Sequence, residues 1–179
     1  KRSSKKSPRK IKALPSSTPG GWASSIVPKT PVNLKQSSLA PQGKRSSPTP
    51  QEAYSRAYRS IREKKNEKAI LQFRDFLRRF PKNRLAANAQ YWLGESYYDM
   101  RDFPTSLREF QKVISRYPAS RKVPDAFYKK GITYLRNKNP RKAVREFEKL
   151  IKRYPNHSLA KKARKQLQTL NNAGNNKRR

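Results

Sequence analysis

The side chains with the most chemical potential in this sequence are cationic, and they recur at helical spacing. Arg108, Lys112 and Arg116 stand four residues apart, and Arg145, Lys149, Lys152 and Arg153 repeat the arrangement further along. Residues four apart share one face of a helix, so each set forms a basic stripe. An earlier set, Arg78, Arg79 and Lys82, is interrupted by Asp75, and Lys161, Lys162 and Lys165 carry the pattern toward the C-terminus. With 45 Lys+Arg against 11 Asp+Glu, a formal charge of +34, the acids are too few to neutralise these stripes. The chemistry such a surface offers is capture of a polyanion. Ammonium and guanidinium groups displace counterions from a phosphate backbone without reading its sequence. A DNA backbone is the first expectation; an anionic membrane surface or an acidic polymer satisfies the same charge.

Other chemistries find little material. His157, the only histidine, follows Pro155 and Asn156 and reads as an exposed turn residue. Asp99 and Asp102 sit close enough to hold a cation, but pairing with Arg101 or Lys138 accounts for them better. There is no cysteine, so thiolate nucleophiles, thiolate metal sites and disulfides are out of reach. Pro19-Gly20-Gly21 lacks the Lys-Ser/Thr and the following helix that a phosphate loop requires. No catalytic residue, cofactor site or metal site is expected, and the chain reads as a non-enzyme. No apolar run reaches the ~18 residues that a membrane-spanning helix needs. Because the chain begins at Lys1 rather than Met, a processed or trimmed protein is expected.

The elements that position the basic stripes come from an internal repeat. Shifted by 37 residues, the chain aligns with itself at Ala57, Gly94 and Gly131, at Ala69, Ser106 and Ala143, at Phe73, Phe110 and Phe147, and at Pro81, Pro118 and Pro155. Self-similarity at this period marks a stacked helical array. Apolar residues at three- and four-residue spacing predict helix pairs near 51–64 and 67–80, 84–101 and 104–117, and 122–138 and 140–153. Ser158 is the expected N-cap of a last helix ending near Leu170, whose Leu159, Ala163, Leu167 and Leu170 form one stripe. Within each pair, the small residues at 57, 94 and 131 predict a close approach of the partner helix. A large side chain at Gly94 is expected to unfold the array. The phenylalanine column is expected to fill the space between successive units.

Residues 1–50 differ in kind. They hold eight prolines and eleven serines, eleven Lys/Arg and no acid, which forbids helix and predicts an extended basic arm. Lys5, Lys6, Arg9 and Lys10 cluster at one end, Lys44 and Arg45 at the other, and a sparse apolar string including Trp22, Ile26 and Val27 lies between. That string suits docking on a neighbouring subunit or on the chain's own repeats; between subunits it would build a homo-oligomer and, on an anionic polymer, a coat or filament. The expected organisation is thus an arm (1–50), three repeats (51–82, 83–119, 120–156), a capping helix (158–170) and a basic tail (171–179).

The repeat columns, with Leu93-Gly94, Tyr97, Ser106 or Ala143, Phe110 or Phe147, and Pro118 or Pro155, resemble the tetratricopeptide repeat. More narrowly, AQYWLGESYY, FQKVISRYPASRKVPDAFYKKGITYL and FEKLIKRYPNHSLAKKA resemble the C-terminal repeat domain of the coordinator proteins of the Tol-Pal cell-envelope system. The resemblance covers residues 51–170. It implies an all-α solenoid of three helix pairs and a capping helix, an extracytoplasmic location, and protein partners held in a groove lined by Tyr54, Tyr91, Tyr128 and Tyr98. An envelope interaction scaffold is thus the alternative to polyanion binding. That family carries an N-terminal coiled coil, whereas this chain has a proline-rich arm without heptads.

Overall fold

Local sequence sets where the paired helices stop, and the stop signals recur every 37 residues. The computed structural model describes residues 47–176, which form seven helices: α1 (Pro50–Arg62), α2 (Asn66–Arg79), α3 (Ala86–Asp99), α4 (Phe103–Arg116), α5 (Val123–Arg136), α6 (Pro140–Arg153) and α7 (Ser158–Asn176). No strand occurs among the described residues. At the first helix, Thr49 and Glu52 form a reciprocal capping box. Proline occupies the first or second position of α1, α4, α5 and α6, where its missing N–H costs nothing.

The first helix of each pair ends on a left-handed residue, and that residue is basic each time: Lys64 (φ 56°), Arg101 (φ 62°) and Lys138 (φ 54°). Around it the chain closes a two-bond C-cap. Lys64 N donates to the Ile61 carbonyl and Lys65 N to that of Ser60; Arg101 and Asp102, then Lys138 and Asn139, repeat the pair of bonds. This motif satisfies carbonyls that the helix end would orphan, and it stops α1, α3 and α5 before the ends that periodicity alone predicts. The second helices stop ahead of Pro81, Pro118 and Pro155, since the residue before proline is pushed out of helical geometry. Phe80, Tyr117 and Tyr154 there have φ between −129° and −136°. The last helix, α7, runs past Leu170 to Asn176, for no proline interrupts it.

Each pair packs on the next: α1 on α2, α2 on α3, and so on to α6 on α7. The small-residue column explains how closely. A Cβ placed on Gly94 would lie 2.7 Å from Cε1 of Phe110, and one on Gly131 would lie closer still to Phe147. The phenylalanine column therefore lies over the small residue of its own pair, not between units as periodicity suggested. Phe73, Phe110 and Phe147 are fully buried, each burial contributing roughly 1.5–3 kcal/mol. Phe76, Val113 and Leu150, three residues on, belong to the clusters that continue into the following helix. The two clusters meet at α3: Leu93 and Tyr97 face the first pair, Tyr91 faces the second, and Trp92 touches both.

A second column runs through the interior and is polar. Ser60 donates to Gln72 (2.7 Å) in the first pair, and Gln90 donates to Glu109 (2.5 Å) in the second. In the third pair Lys130 meets Glu146 at 2.9 Å and also donates to Gln111 (2.6 Å). Positions 72, 109 and 146 are thus the same acceptor position, bonded to the first helix of the pair each time. Lys130 and Glu146 are both nearly fully buried, so each requires the other.

Gly94→Val is expected to lower stability by about 2–4 kcal/mol, because branching at Cβ drives into the buried Phe110 ring. Urea unfolding followed by circular dichroism measures this, and a loss under about 1 kcal/mol would show that the ring has room to move.

Candidate functional site

Side chains that bridge the first helices of successive pairs identify the face those helices share. Tyr54 and Tyr58 stack on α1 with centroids 6.3 Å apart, and Tyr58 meets Trp92 of α3 edge-on at 5.2 Å. One turn further along α3, Glu95 pairs with Lys129 of α5 at 2.5 Å. Lys129 also lies 5.4 Å from the ring centroid of Tyr98, within cation–π range. The strip Tyr58, Trp92, Glu95, Lys129 therefore crosses three helices. Tyr58 is 36% exposed, among the few large apolar side chains open to solvent. An open depression of about 630 Å³ beside α1 is walled by Tyr54 and Tyr58 and rimmed by Arg59 and Arg62.

Of the groove tyrosines expected from sequence, the structure keeps some on this face and moves one away. Tyr91 is only 7% exposed and packs in the core against Phe110, with Lys122 4.8 Å from its ring centroid. Burial pushes its hydroxyl far above the ordinary tyrosine range, with Glu95 and Asp125 adding to the shift. Tyr54 and Tyr128 are half-buried, resting on Phe73 and Phe147 respectively. Tyr98 is half-buried between Phe103 and Lys129. The residues that sequence reading passed over are Trp92, Glu95 and Lys129. Their signal lies in two further columns, Ser55, Trp92 and Lys129, then Tyr58, Glu95 and Ile132. Their members differ in chemistry from repeat to repeat: Ser55 and Tyr58 are exposed, whereas Trp92 and Ile132 are half-buried against the core clusters.

Glu95 is the electrostatic centre of this face. Its side chain retains 14% exposure, and Oε1 has no hydrogen-bond partner. Burial raises its carboxyl above the ordinary glutamate range; the charge and hydrogen bond of Lys129 pull it back, while Asp99 and Asp125 push it up.

The basic stripes stand away from this face, on the second helices and α7. Several of their members are engaged by acids. Asp75 pairs with Arg78 (2.5 Å) and Arg79 (3.4 Å), Glu109 with Lys112 (2.6 Å), and Glu146 with Lys149 (2.9 Å). Arg108 donates to Thr105. Lys82, Arg116, Arg145, Lys152, Arg153, Lys161, Lys162 and Lys165 are exposed and meet no acid among the described residues. The stripes are also discontinuous: Leu71, 67% exposed, stands where the later repeats carry Arg108 and Arg145. Lys5, Lys6, Arg9, Lys10, Lys44 and Arg45, and the docking string Trp22, Ile26 and Val27, lie outside the described residues.

His157 and the acids have structural work. Asn83, Ser120 and His157 occupy one column, and each accepts the N–H two residues on; for His157 the acceptor is Nδ1, 3.2 Å from Leu159 N. Half-buried there, His157 is less open than its turn position suggested. Asp102 caps α4 through Thr105 N, and the hydrogen bonds from Thr105 hold its carboxyl below the ordinary range. Among the described residues no three acidic or histidine side chains converge as a metal site. No described helix is long and apolar enough to cross a membrane.

Comparison with known proteins gives these observations a setting. Residues 46–174 match the family described as YfiO, outer membrane lipoprotein. The cell division coordinator CpoB of Pseudomonas putida is 48% identical over 42 residues, which are 24% of this chain and 16% of that protein's length. Among solved structures, YrrB, described as a TPR protein with an unusual peptide-binding site, aligns with a TM-score of 0.55 at 22% identity. That alignment covers 67% of this chain and 59% of YrrB. The N-terminal domain of stress-induced protein-1 from C. elegans aligns with a TM-score of 0.56 at 15% identity, covering 65% and 92%. The two structures share the fold: an all-α tetratricopeptide solenoid.

Between the ordinary glutamate pKa and that of Glu95, the folded chain holds a proton the unfolded chain has released, so this group's contribution to stability falls as pH rises. Glu95→Gln is expected to flatten that fall on the alkaline side of the ordinary glutamate pKa. Urea midpoints across a pH series measure it; an unchanged pH profile would mean that Lys129 fully offsets the burial.

Proposed function

Since the chain belongs to the YfiO family of outer membrane lipoproteins, we propose that it is a non-catalytic interaction scaffold of the bacterial cell envelope. It holds peptide segments of partner proteins against the face shared by α1, α3 and α5. One observation carries this reading: the strip from Tyr58 through Trp92 and Glu95 to Lys129 leaves aromatic and charged groups partly open along three consecutive helices. Solenoids use extended surfaces of this kind for binding, and aromatic side chains dominate such contacts. The partial likeness to CpoB, a cell division coordinator, and the peptide-binding site in the description of YrrB agree with it.

A photo-crosslinking residue placed at Tyr58 or at Lys129 in living cells is expected to yield the same discrete crosslinked protein from both positions. Trp92→Phe should weaken that crosslink. No crosslink, or equal crosslinking from Arg145 on the opposite side, would defeat the reading.

A second reading, binding of an anionic polymer, is favoured by the absence of acids beyond Glu148, a stretch that includes Lys152, Arg153, Lys161, Lys162 and Lys165. In an envelope the anionic polymer is a lipid surface or a cell-wall polymer, and DNA rests on charge alone. Vesicles containing phosphatidylglycerol are expected to bind the protein at low salt and release it toward ~0.15 M, as exposed charges are screened. Replacing Lys161, Lys162 and Lys165 with Gln should weaken this binding; salt-independent binding would argue against it.

A further inference from the structure

The loop joining α2 to α3 and the loop joining α4 to α5 lie side by side, tied by Tyr117 Oη donating to the Pro81 carbonyl at 3.2 Å. Between them opens a cleft of about 500 Å³. Its lining combines apolar surface from Ala87, Tyr117, Pro118 and Ala119 with Arg84, Arg116 and Arg121. All three arginines are exposed, and none is ion-paired among the described residues. The rest of the chain cannot supply a partner either, for every acid lies between Glu52 and Glu148. Three like charges at one cleft repel unless an anion joins them.

Two further observations sharpen the site. The first turn of α3, which borders the cleft at Ala87 and Asn88, has no capping side chain and no acid, so its amide dipoles add to the positive potential. The repeat does not impose this arrangement. One unit later, Asp125 replaces Asn88 and is paired with Lys122 at 3.3 Å, and Ser158 replaces Arg121. The cationic cleft belongs to this junction.

We propose that the cleft binds a short acidic segment of a partner protein. Its Asp or Glu carboxylate is clamped by Arg84, Arg116 and Arg121, and a neighbouring apolar side chain rests on Tyr117, Pro118 and Ala119. Guanidinium groups match a carboxylate in a bidentate fork. Apolar surface beside arginines is the anatomy of a protein interface, whereas a bare oxyanion would leave the apolar surface unused. Residues 1–50 hold no acid and so offer no carboxylate for the cleft. This inference rests on the scaffold reading in requiring a protein partner, but it uses a loop edge separate from the face of α1, α3 and α5, so the two fail independently.

Amide NMR on the full chain tests it, with an end-capped Gly-Asp-Phe-Glu-Gly peptide as probe, Gly-Asn-Phe-Gln-Gly as the uncharged control, and inorganic phosphate as the bare anion. The acidic peptide is expected to shift the amides of Ala87, Asn88, Ala119 and Ser120 and to bind at least tenfold more tightly than either control. Arg84→Gln, Arg116→Gln and Arg121→Gln, surface changes whose folding circular dichroism checks, should each weaken it about tenfold. Tyr58→Ala and the equal charge change Arg145→Gln should leave it unchanged. Binding weakened as much by Arg145→Gln as by Arg116→Gln would reduce the effect to general charge. Phosphate binding as tightly as the peptide, or absence of shifts at the four amides, would equally overturn the proposal.

Discussion

The contact on which this structure depends is an aromatic ring laid on a glycine. Phe110 sits over Gly94 and Phe147 over Gly131, closer than any Cβ would permit. That contact fixes how near the two helices of a pair approach, and the pair's thickness then sets where the next pair docks. The first unit uses Ala57 with Phe73 at the same positions, both fully buried. A glycine inside a helix costs about 1 kcal/mol against alanine, and the buried ring offsets that cost by filling the space it leaves.

The interior also consumes acids that composition assigned to the surface. Glu109 and Glu146 are nearly fully buried, and each serves twice: inward to Gln90 or Lys130, outward to Lys112 or Lys149. A strongly basic chain thereby spends scarce carboxylates on orienting its own helices, with two consequences. Lysines that looked free in the sequence are tethered, and fewer carboxylates remain to pair with the other surface cations.

Three surfaces follow, each with a different character. The face of the first helices is aromatic and centres on one sequestered carboxylate. The edge formed by the α2–α3 and α4–α5 loops gathers arginines beside apolar side chains. The second helices and α7 present dispersed exposed cations. The chain belongs to a family described as outer membrane lipoproteins, and a shared repeat leaves the character of each surface to the side chains it carries.

The 37-residue period, the small and aromatic columns and the prolines that end the second helices were all legible in the sequence, because local sterics and amphipathic spacing act within a few residues. The 1–50 segment was legible only as composition. Sequence alone did not distinguish which tyrosines are core and which are surface: Tyr91 carries the same letter and column as Tyr54 and Tyr128, yet only its neighbours bury it. Nor did it show that basic residues close the first helices, since a left-handed lysine is tolerated only once a two-bond cap holds it. Whether a charge is free depends on a partner one helix away. For that reason the pairing of Lys112 with Glu109, and the isolation of Arg116 and Arg121 in their cleft, belonged to the tertiary structure: Coulomb energy depends on distances in space that no linear spacing records.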